Sequence, residues 1–299
     1  MGEEAKRYAV VTGANKGIGF GICKKLASTG GVVVVLTARD EKRGLEAIER
    51  LKKEFALSDD SLLFHQLDVT DPLSVASLAA FVKTRFGKLD ILVNNAGVPG
   101  GVVNGENVLR RKRGELTGWT DWNIIVRQNY ELAKECVETN FFGAERVTEA
   151  LLTLLQLSTS PRIVNVSSAM GVLKHIPNEW ARGLFEDIDN LTNQKLGDVL
   201  REFLKDYKQG SLESKKWPIV VSGYTMSKAA LNAYTRMLAK KFPNFRVNCV
   251  CPGFVKTDLN ENTGFMSIDE GAESLVRLAL LPDDSPSGQF YSVDEIIPF

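Results

Sequence analysis

Short apolar runs recur along the chain at nearly regular intervals, and they are continuous rather than alternating with polar positions. "YAVVTG" near the start, "VVVVLTAR" at 32–39, "LLFHQLDV" at 62–69, "LDILVNNAG" at 89–97, "RIVNVSS" at 162–168 and "RVNCVCPG" at 246–253 are such blocks. Successive side chains of a strand face opposite sides, so an unbroken apolar block belongs to a strand covered on both faces. Helical stretches lie between them: 18–28, the charged amphipathic "DEKRGLEAIERLKKEF" and "DPLSVASLAAFVKTRF", where Asp71 and Pro72 suit the N-cap and first helical position. Strand, helix and strand at this rhythm predict an α/β fold: a Rossmann-type, doubly wound parallel sheet with helices on both faces. No shift of composition divides the 299 residues, so a single domain is expected.

Two stretches break the rhythm. Residues 99–126 are polar and Gly-rich, and residues 174–223 form a long charged segment between a strand and the next helix. A structureless loop of that length is improbable in a compact domain. "NQKLGDVLREFLKDYKQG" reads as a helix, so the second stretch is expected to be a helical flap. Ligands bind outside the carboxyl ends of strands in such sheets, and both insertions leave those ends. Both are expected to wall the site.

Charge and cysteine usage narrow the partners. The 37 basic and 37 acidic side chains cancel, which removes the electrostatic case for nucleic acid or an anionic membrane. The cluster "RRKRG" at 110–114 reads as a solvated loop. Four cysteines without a CxxC pair, beside only two histidines, argue against a metal site. The thiols read as reduced and mostly buried, which suits a cytoplasmic protein. "MGEEAKRY" has no apolar signal core and lacks the Ser or Thr of a myristoylation motif at position 6. No run approaches the ~20 apolar residues that span a bilayer.

"TGANKGIG" at 12–19 lies between the first strand and the first helix. A helix N-terminus offers unpaired N–H groups and a positive dipole end, and glycines let a pyrophosphate come close. Gly13, Asn15, Lys16, Gly17, Ile18 and Gly19 are therefore candidate cofactor contacts. The second strand ends in "TARD", with Arg39 where an acidic residue would meet free ribose hydroxyls. Arg39 and Lys16 suit a 2′-phosphate, and Asp40 suits the cap of the next helix. The cofactor is expected to be NADP(H).

Hydride transfer to a carbonyl leaves an alkoxide that needs a proton donor. Tyr and Lys four residues apart share one helix face, where an ammonium can stabilise a phenolate. Tyr130–Lys134 and Tyr224–Lys228 both fit. Tyr224 opens a helix that follows the Ser167–Ser168 strand and precedes the strand ending "CPG"; Tyr130 reads as a helix-surface residue.

TGxxxGxG, NNAG at 94–97, the asparagine of "ETNFFG", the serine ending "NVSS", YxxxK and "PGFVKTD" occur here in the order used by the short-chain dehydrogenase/reductase superfamily. The chain resembles its carbonyl reductase branch, in particular the plant enzymes that reduce terpenoid and alkaloid ketones. The resemblance implies Tyr224 as general acid, Lys228 as the group that lowers its pKa and holds the nicotinamide ribose, and Ser168 as the carbonyl-binding hydroxyl. It implies Asn140 as the holder of a proton-return water. Asp68 and Val69 would contact adenine; Asn95, Ala96 and Gly97 would line the cofactor, with Asn94 tying strands together. Pro252, Gly253, Val255 and Thr257 would cradle nicotinamide and pyrophosphate. Capping roles remain open for Asp68 and Thr257, and for Asn140 the satisfaction of a helix carbonyl. Val98, Met170, Trp180 and Phe254 are the candidate substrate contacts, with Leu184 and Phe185 also on the flap, and they suit a bulky hydrophobic ketone, a small-molecule carbonyl substrate, better than a charged sugar or a short acid. The segment before the Tyr helix would cover the family's dimer surface, so a monomer is expected. A broad detoxifying carbonyl reductase, an enone double-bond reductase and a non-catalytic dinucleotide sensor are the alternatives.

Overall fold

A computed structural model describes residues 6–118 and 121–299; the targeting reading of the first residues, and positions 119–120 of the first insertion, lie outside them. In chain order the elements are β1 (Arg7–Val11), α1 (Gly17–Ser28), β2 (Val32–Ala38), α2 (Glu41–Phe55), β3 (Leu62–Gln66), α3 (Pro72–Phe86) and β4 (Ile91–Asn94). The first insertion holds β5 (Val102–Val103), α4 (Gly105–Lys112), α5 (Trp122–Ile125) and β6 (Val126–Arg127). Then come α6 (Tyr130–Val137), a wide π-turn at Glu138–Gly143, α7 (Ala144–Leu155) and β7 (Arg162–Val166). The flap contains α8 (Glu179–Glu186) and α9 (Asn193–Lys208). The chain closes with α10 (Ser222–Lys241), β8 (Arg246–Cys251), α11 (Ile268–Ala279), β9 (Phe290–Ser292) and β10 (Glu295–Ile296).

The main sheet runs β10-β9-β8-β7-β4-β1-β2-β3, parallel throughout except for the final β9–β10 hairpin. Strand order reverses beside β1, whose neighbours are β2 and β4. That reversal opens a crevice at the carboxyl ends, directly beyond the glycine turn. The central blocks are buried from end to end, β2 and β7 at every position, as unbroken apolar runs require. β3 differs: it is an edge strand and only partly buried. Asp40 and Asp71 cap α2 and α3 by accepting from Arg43 N and Leu73 N, each at 2.9 Å.

One core, under α1, α2 and α11, covers one face of the sheet. The other joins α3, α7 and α10 to the flap. Phe185, Phe203 and Trp217 of the flap share this second core with Tyr234 of α10, and Phe203 and Trp217 meet with ring centroids 5.5 Å apart. Trp217 Nε1 donates to the buried Asp206 carboxylate at 2.8 Å. The flap is therefore a third layer on α6 and α10. Of the flap, the return segment at Val220 and Val221 joins the apolar cluster beside Tyr224, while α8 and α9 pack on the core. A continuous amphipathic face on α9 is better buried against α6 and α10 than spread over a cleft mouth. The first insertion does line that cluster, closing on itself through the β5–β6 pair. Among the described residues no helix is long and apolar enough to cross a membrane.

Polar side chains tie the strand ends together. Asn94 Nδ2 donates to Thr148 Oγ1 (3.0 Å) and Asn165 Oδ1 (2.8 Å), and Asn165 Nδ2 donates to Thr235 Oγ1 (2.8 Å), all buried. Asn165→Ala leaves partners of both groups unsatisfied in the core, so it should lower stability by about 2–4 kcal/mol in urea unfolding. A change within experimental error would show that the network contributes nothing net.

Candidate active site

The crevice is built around Thr12. Its hydroxyl accepts from Asn95 N and Ala96 N, both at 2.9 Å, while Asn95 Nδ2 donates to Thr12 O (2.8 Å) and Gly13 O (3.0 Å). Four hydrogen bonds thus join the end of β4 to the glycine turn. Gly13 has φ +61°, and a Cβ there would lie 2.9 Å from Ala96 Cα, so both backbone and space demand glycine. Lys16 is the extended N-cap of α1 and supplies no side-chain cap. The first N–H groups of α1, around Gly17, Ile18 and Gly19, are left without such a partner, as an anion site needs. Asn15 is half-buried in the same turn. Lys16 itself pairs with Asp258 at 2.7 Å, linking the turn to the loop after β8. Thr12 is a functional residue that sequence reading missed; its role depends on β4 lying alongside, which no local pattern reveals.

Beyond the turn, Arg39 stands exposed at the end of β2. Asp68 Oδ1 accepts from Thr70 N (2.9 Å) and Thr70 Oγ1 (2.7 Å), so the carboxylate caps its own turn. The next residue, Val69, is buried, and its carbonyl accepts from Arg146 at 2.7 Å. After β8, Pro252 and Val255 are buried, and Gly253 turns with φ +85°. Thr257 packs beside Gly17 and caps the short turn Asp258–Asn260. The capping roles left open for Asp68 and Thr257 are therefore both filled.

The reactive groups come from two elements. Ser168 follows β7 and caps the single turn Ala169–Gly171, accepting from Met170 N at 3.2 Å. Its side chain lies close enough to Tyr224, in the first turn of α10, to favour the ionised phenol. Gly171 lets this turn approach closely: a Cβ would fall 2.6 Å from the Lys228 carbonyl carbon. Ser167 faces away and donates to Asn232. Lys228 Nζ lies 5.6 Å from the Tyr224 ring centroid and donates to Val166 O at 2.7 Å. Tyr130 is elsewhere, packed on α9 against Tyr207 and Lys208.

Burial dominates the electrostatics. It raises the Tyr224 hydroxyl well above the ordinary phenol range, against an opposing effect of the Ser168 side chain. Lys228, also buried, is pushed down to about 8. In the free protein loss of solvent sets the phenol's pKa, and Ser168 is the group that draws it down.

Asn140 occupies the π-turn between α6 and α7, a distortion often found at functional sites. Its side chain is fully committed. Oδ1 accepts from Val98 N (2.8 Å), and Nδ2 donates to Val98 O (3.0 Å), Cys136 Sγ (3.1 Å) and Ser227 Oγ (3.2 Å). It fixes the chain after Gly97.

On the substrate side, Met170, Phe254 and Tyr224 pack with Val103, Val108, Leu116, Trp122, Ile125, Val126, Val220 and Val221. Trp180 is not brought there. It packs against Trp217 with centroids 6.3 Å apart, on the outer side of the flap, because α8 turns its other face inward to bury Phe185. Leu184 likewise packs on the core. The missed wall residues come from both insertions, whose short elements carry weak periodic signals.

Fold, switch-point crevice and a Ser–Tyr–Lys cluster define an oxidoreductase of the dinucleotide-binding α/β class. The chain belongs to the short-chain dehydrogenase family: the profile described as "short chain dehydrogenase" matches residues 7–179, and one described as "Enoyl-(Acyl carrier protein) reductase" matches 211–281. It is 57% identical over 300 residues to a (+)-neomenthol dehydrogenase of Arabidopsis thaliana, covering 100% of both chains. The salutaridine reductase structure from Papaver somniferum superposes with a TM-score of 0.86 at 49% identity, covering 96% of this chain and 99% of that one. The menthone neomenthol reductase structure from Mentha piperita gives 0.84 at 50% identity, covering 98% and 100%.

The buried lysine gives a direct test. The unfolded chain keeps the Lys228 proton up to its ordinary pKa of 10.5, whereas the native protein releases it near 8. The unfolded state binds more protons between those values, so native stability rises with pH through that window. Urea unfolding should show the parent gaining about 2–3 kcal/mol on Lys228→Met between pH 7 and pH 10. A parallel pH dependence in the two proteins would contradict the burial effect.

Proposed function

We propose that this protein reduces a ketone on a bulky hydrophobic, terpenoid- or alkaloid-like substrate to a secondary alcohol, using NADPH. The observation that carries the reading is the meeting of Ser168, Tyr224 and Lys228 beside an apolar cluster, at the mouth of the crevice behind the glycine turn. Relatives named as a neomenthol dehydrogenase and a salutaridine reductase support it.

The residues present fit a dinucleotide. The uncapped start of α1 suits a pyrophosphate, Gly13 leaves no Cβ between the turn and Ala96, and Arg39, exposed after β2, with Lys16, which also pairs with Asp258, are the cations for a 2′-phosphate. Gly17, Asn95, Ala96, Gly97, Val255 and Thr257 flank the same crevice. When bound, the nicotinamide supplies the hydride. The protein's own groups do the rest. Ser168 donates a hydrogen bond to the substrate carbonyl oxygen and polarises it. Tyr224 delivers the proton to the oxygen as it gains charge; the raised pKa keeps the phenol protonated at neutral pH, ready to give. Lys228, charged below about pH 8, stabilises the phenolate left behind and holds the ribose. Asn140 keeps the Val98 peptide in place beside them. The apolar cluster excludes water and selects a hydrophobic ketone.

The covering of α6 and α10 by the flap supports a monomer, since that face is already occupied within one chain. Reduced thiols and zero net charge support a cytosolic setting, where NADPH favours reduction.

The test mixes protein and NADPH with cyclic monoterpene ketones, morphinan ketones and quinones, and follows loss of NADPH absorbance. Turnover of at least one is expected; NADPH binding with silence across the panel would overturn the reading in favour of a sensor. Tyr224→Phe should cost about 10²–10⁴ in rate with NADPH affinity nearly unchanged. Arg39→Asp should weaken NADPH at least about tenfold while leaving NADH little affected, as loss of a charge-assisted phosphate contact requires. Equal weakening of both would remove Arg39 from the 2′-phosphate.

A further inference from the structure

Among the described residues with a left-handed backbone, Val221 and Val293 are β-branched. Val293 lies in the β9–β10 turn, where such a conformation is ordinary for the position if not for the residue. Val221, with φ +39° and ψ +47°, immediately precedes α10, three residues before Tyr224. Two γ-carbons on the Cβ make this conformation costly, and a glycine would adopt it without strain.

One side chain imposes it. Gln128, just past β6, accepts from Ser222 N (2.8 Å) and Ser222 Oγ (2.9 Å) through Oε1, and donates to Ile219 O (2.9 Å) through Nε2. These three bonds bracket Val220 and Val221. They also join the end of the first insertion to the return of the flap, at the point where the Tyr helix begins. The strained backbone presents the Val221 side chain to the cluster that contains Met170, Phe254 and Tyr224. Strain held in place by surrounding contacts beside a reactive group points to a use for the side chain.

We propose that Val221 is a specificity-determining residue: its isopropyl group, pinned by Gln128, forms the substrate wall next to the Tyr224 hydroxyl and limits the width of the ketone's larger substituent. This rests on the ketone-reducing reading above. The wall is stiff because its backbone is held from both sides, so it excludes a wide substituent rather than yielding to it.

The experiment compares the parent with Val221→Ala and Val221→Gly on a monocyclic and a polycyclic ketone, measuring kcat/KM, NADPH affinity by fluorescence, and Tm. In both variants the polycyclic-to-monocyclic ratio of kcat/KM should rise about tenfold or more, with NADPH affinity unchanged. Stability should follow the backbone instead, Val221→Gly melting no lower than Val221→Ala. Gln128→Ala should raise the same ratio with the valine still present; a purely structural bracket would lower Tm and leave the ratio alone. An unchanged ratio in all three variants, with a parent active on both ketones, overturns the wall and leaves the ketone reading intact. A parent inert on every ketone overturns both.

Discussion

The hydroxyl of Thr12 accepts two backbone N–H groups from the strand beside it, and the amide of Asn95 returns two donors to the turn that Thr12 begins. The rest of the site depends on this exchange. At a topological switch point adjacent strands send their chains to opposite faces of the sheet, which leaves backbone groups at the carboxyl ends without ladder partners. Side chains must satisfy them, or the crevice would collapse or fill with water. Here the glycine turn is held open by bonds on its inner side, so its outer side is free to meet a ligand.

A second layer of the same solution lies deeper. Asn94, Asn165, Thr148 and Thr235 pass hydrogen bonds from β4 through β7 to α10, and Ser167 with Asn232 continues the contact. α10 therefore takes its position from the strand ends. That fixes Tyr224 and Lys228 without help from solvent, and it explains why burial controls both groups. A lysine placed this deep carries a stability penalty that an exposed one would escape, a familiar tension between stability and activity.

Much of this was legible in the sequence, and the reasons differ by element. The unbroken apolar blocks at 32–39 and 162–168 could only be doubly covered strands, and the caps at Asp40 and Asp71 follow from local chemistry. Gly13 and the Tyr224–Lys228 pair were visible from their spacing beside a strand or helix end, whereas Ser168 followed from the family resemblance. Trp180 was misplaced because periodicity on α8 shows that one face is buried but not against what. The packing of the flap was hidden for the same reason: a helix with an apolar stripe does not disclose its partner. The side-chain partners of Asn140, at residues 98, 136 and 227, carried no local signal because they meet it only in the fold. Val221 carried no signal, because strain exists only in the folded chain.

The π-turn at Glu138–Gly143 has a bearing on how the long α6–α7 rod is shared between neighbours. An extra residue in one turn rotates everything after it by about 100° relative to a regular helix. The face that α6 shows to the flap and the Tyr helix is thereby different from the face that α7 shows to α3 and the sheet. One rod can thereby serve two unrelated surfaces. Removing a single residue from the bulge would swing one half out of phase with the other, so insertions and deletions should be tolerated far less there than in the loops at either end.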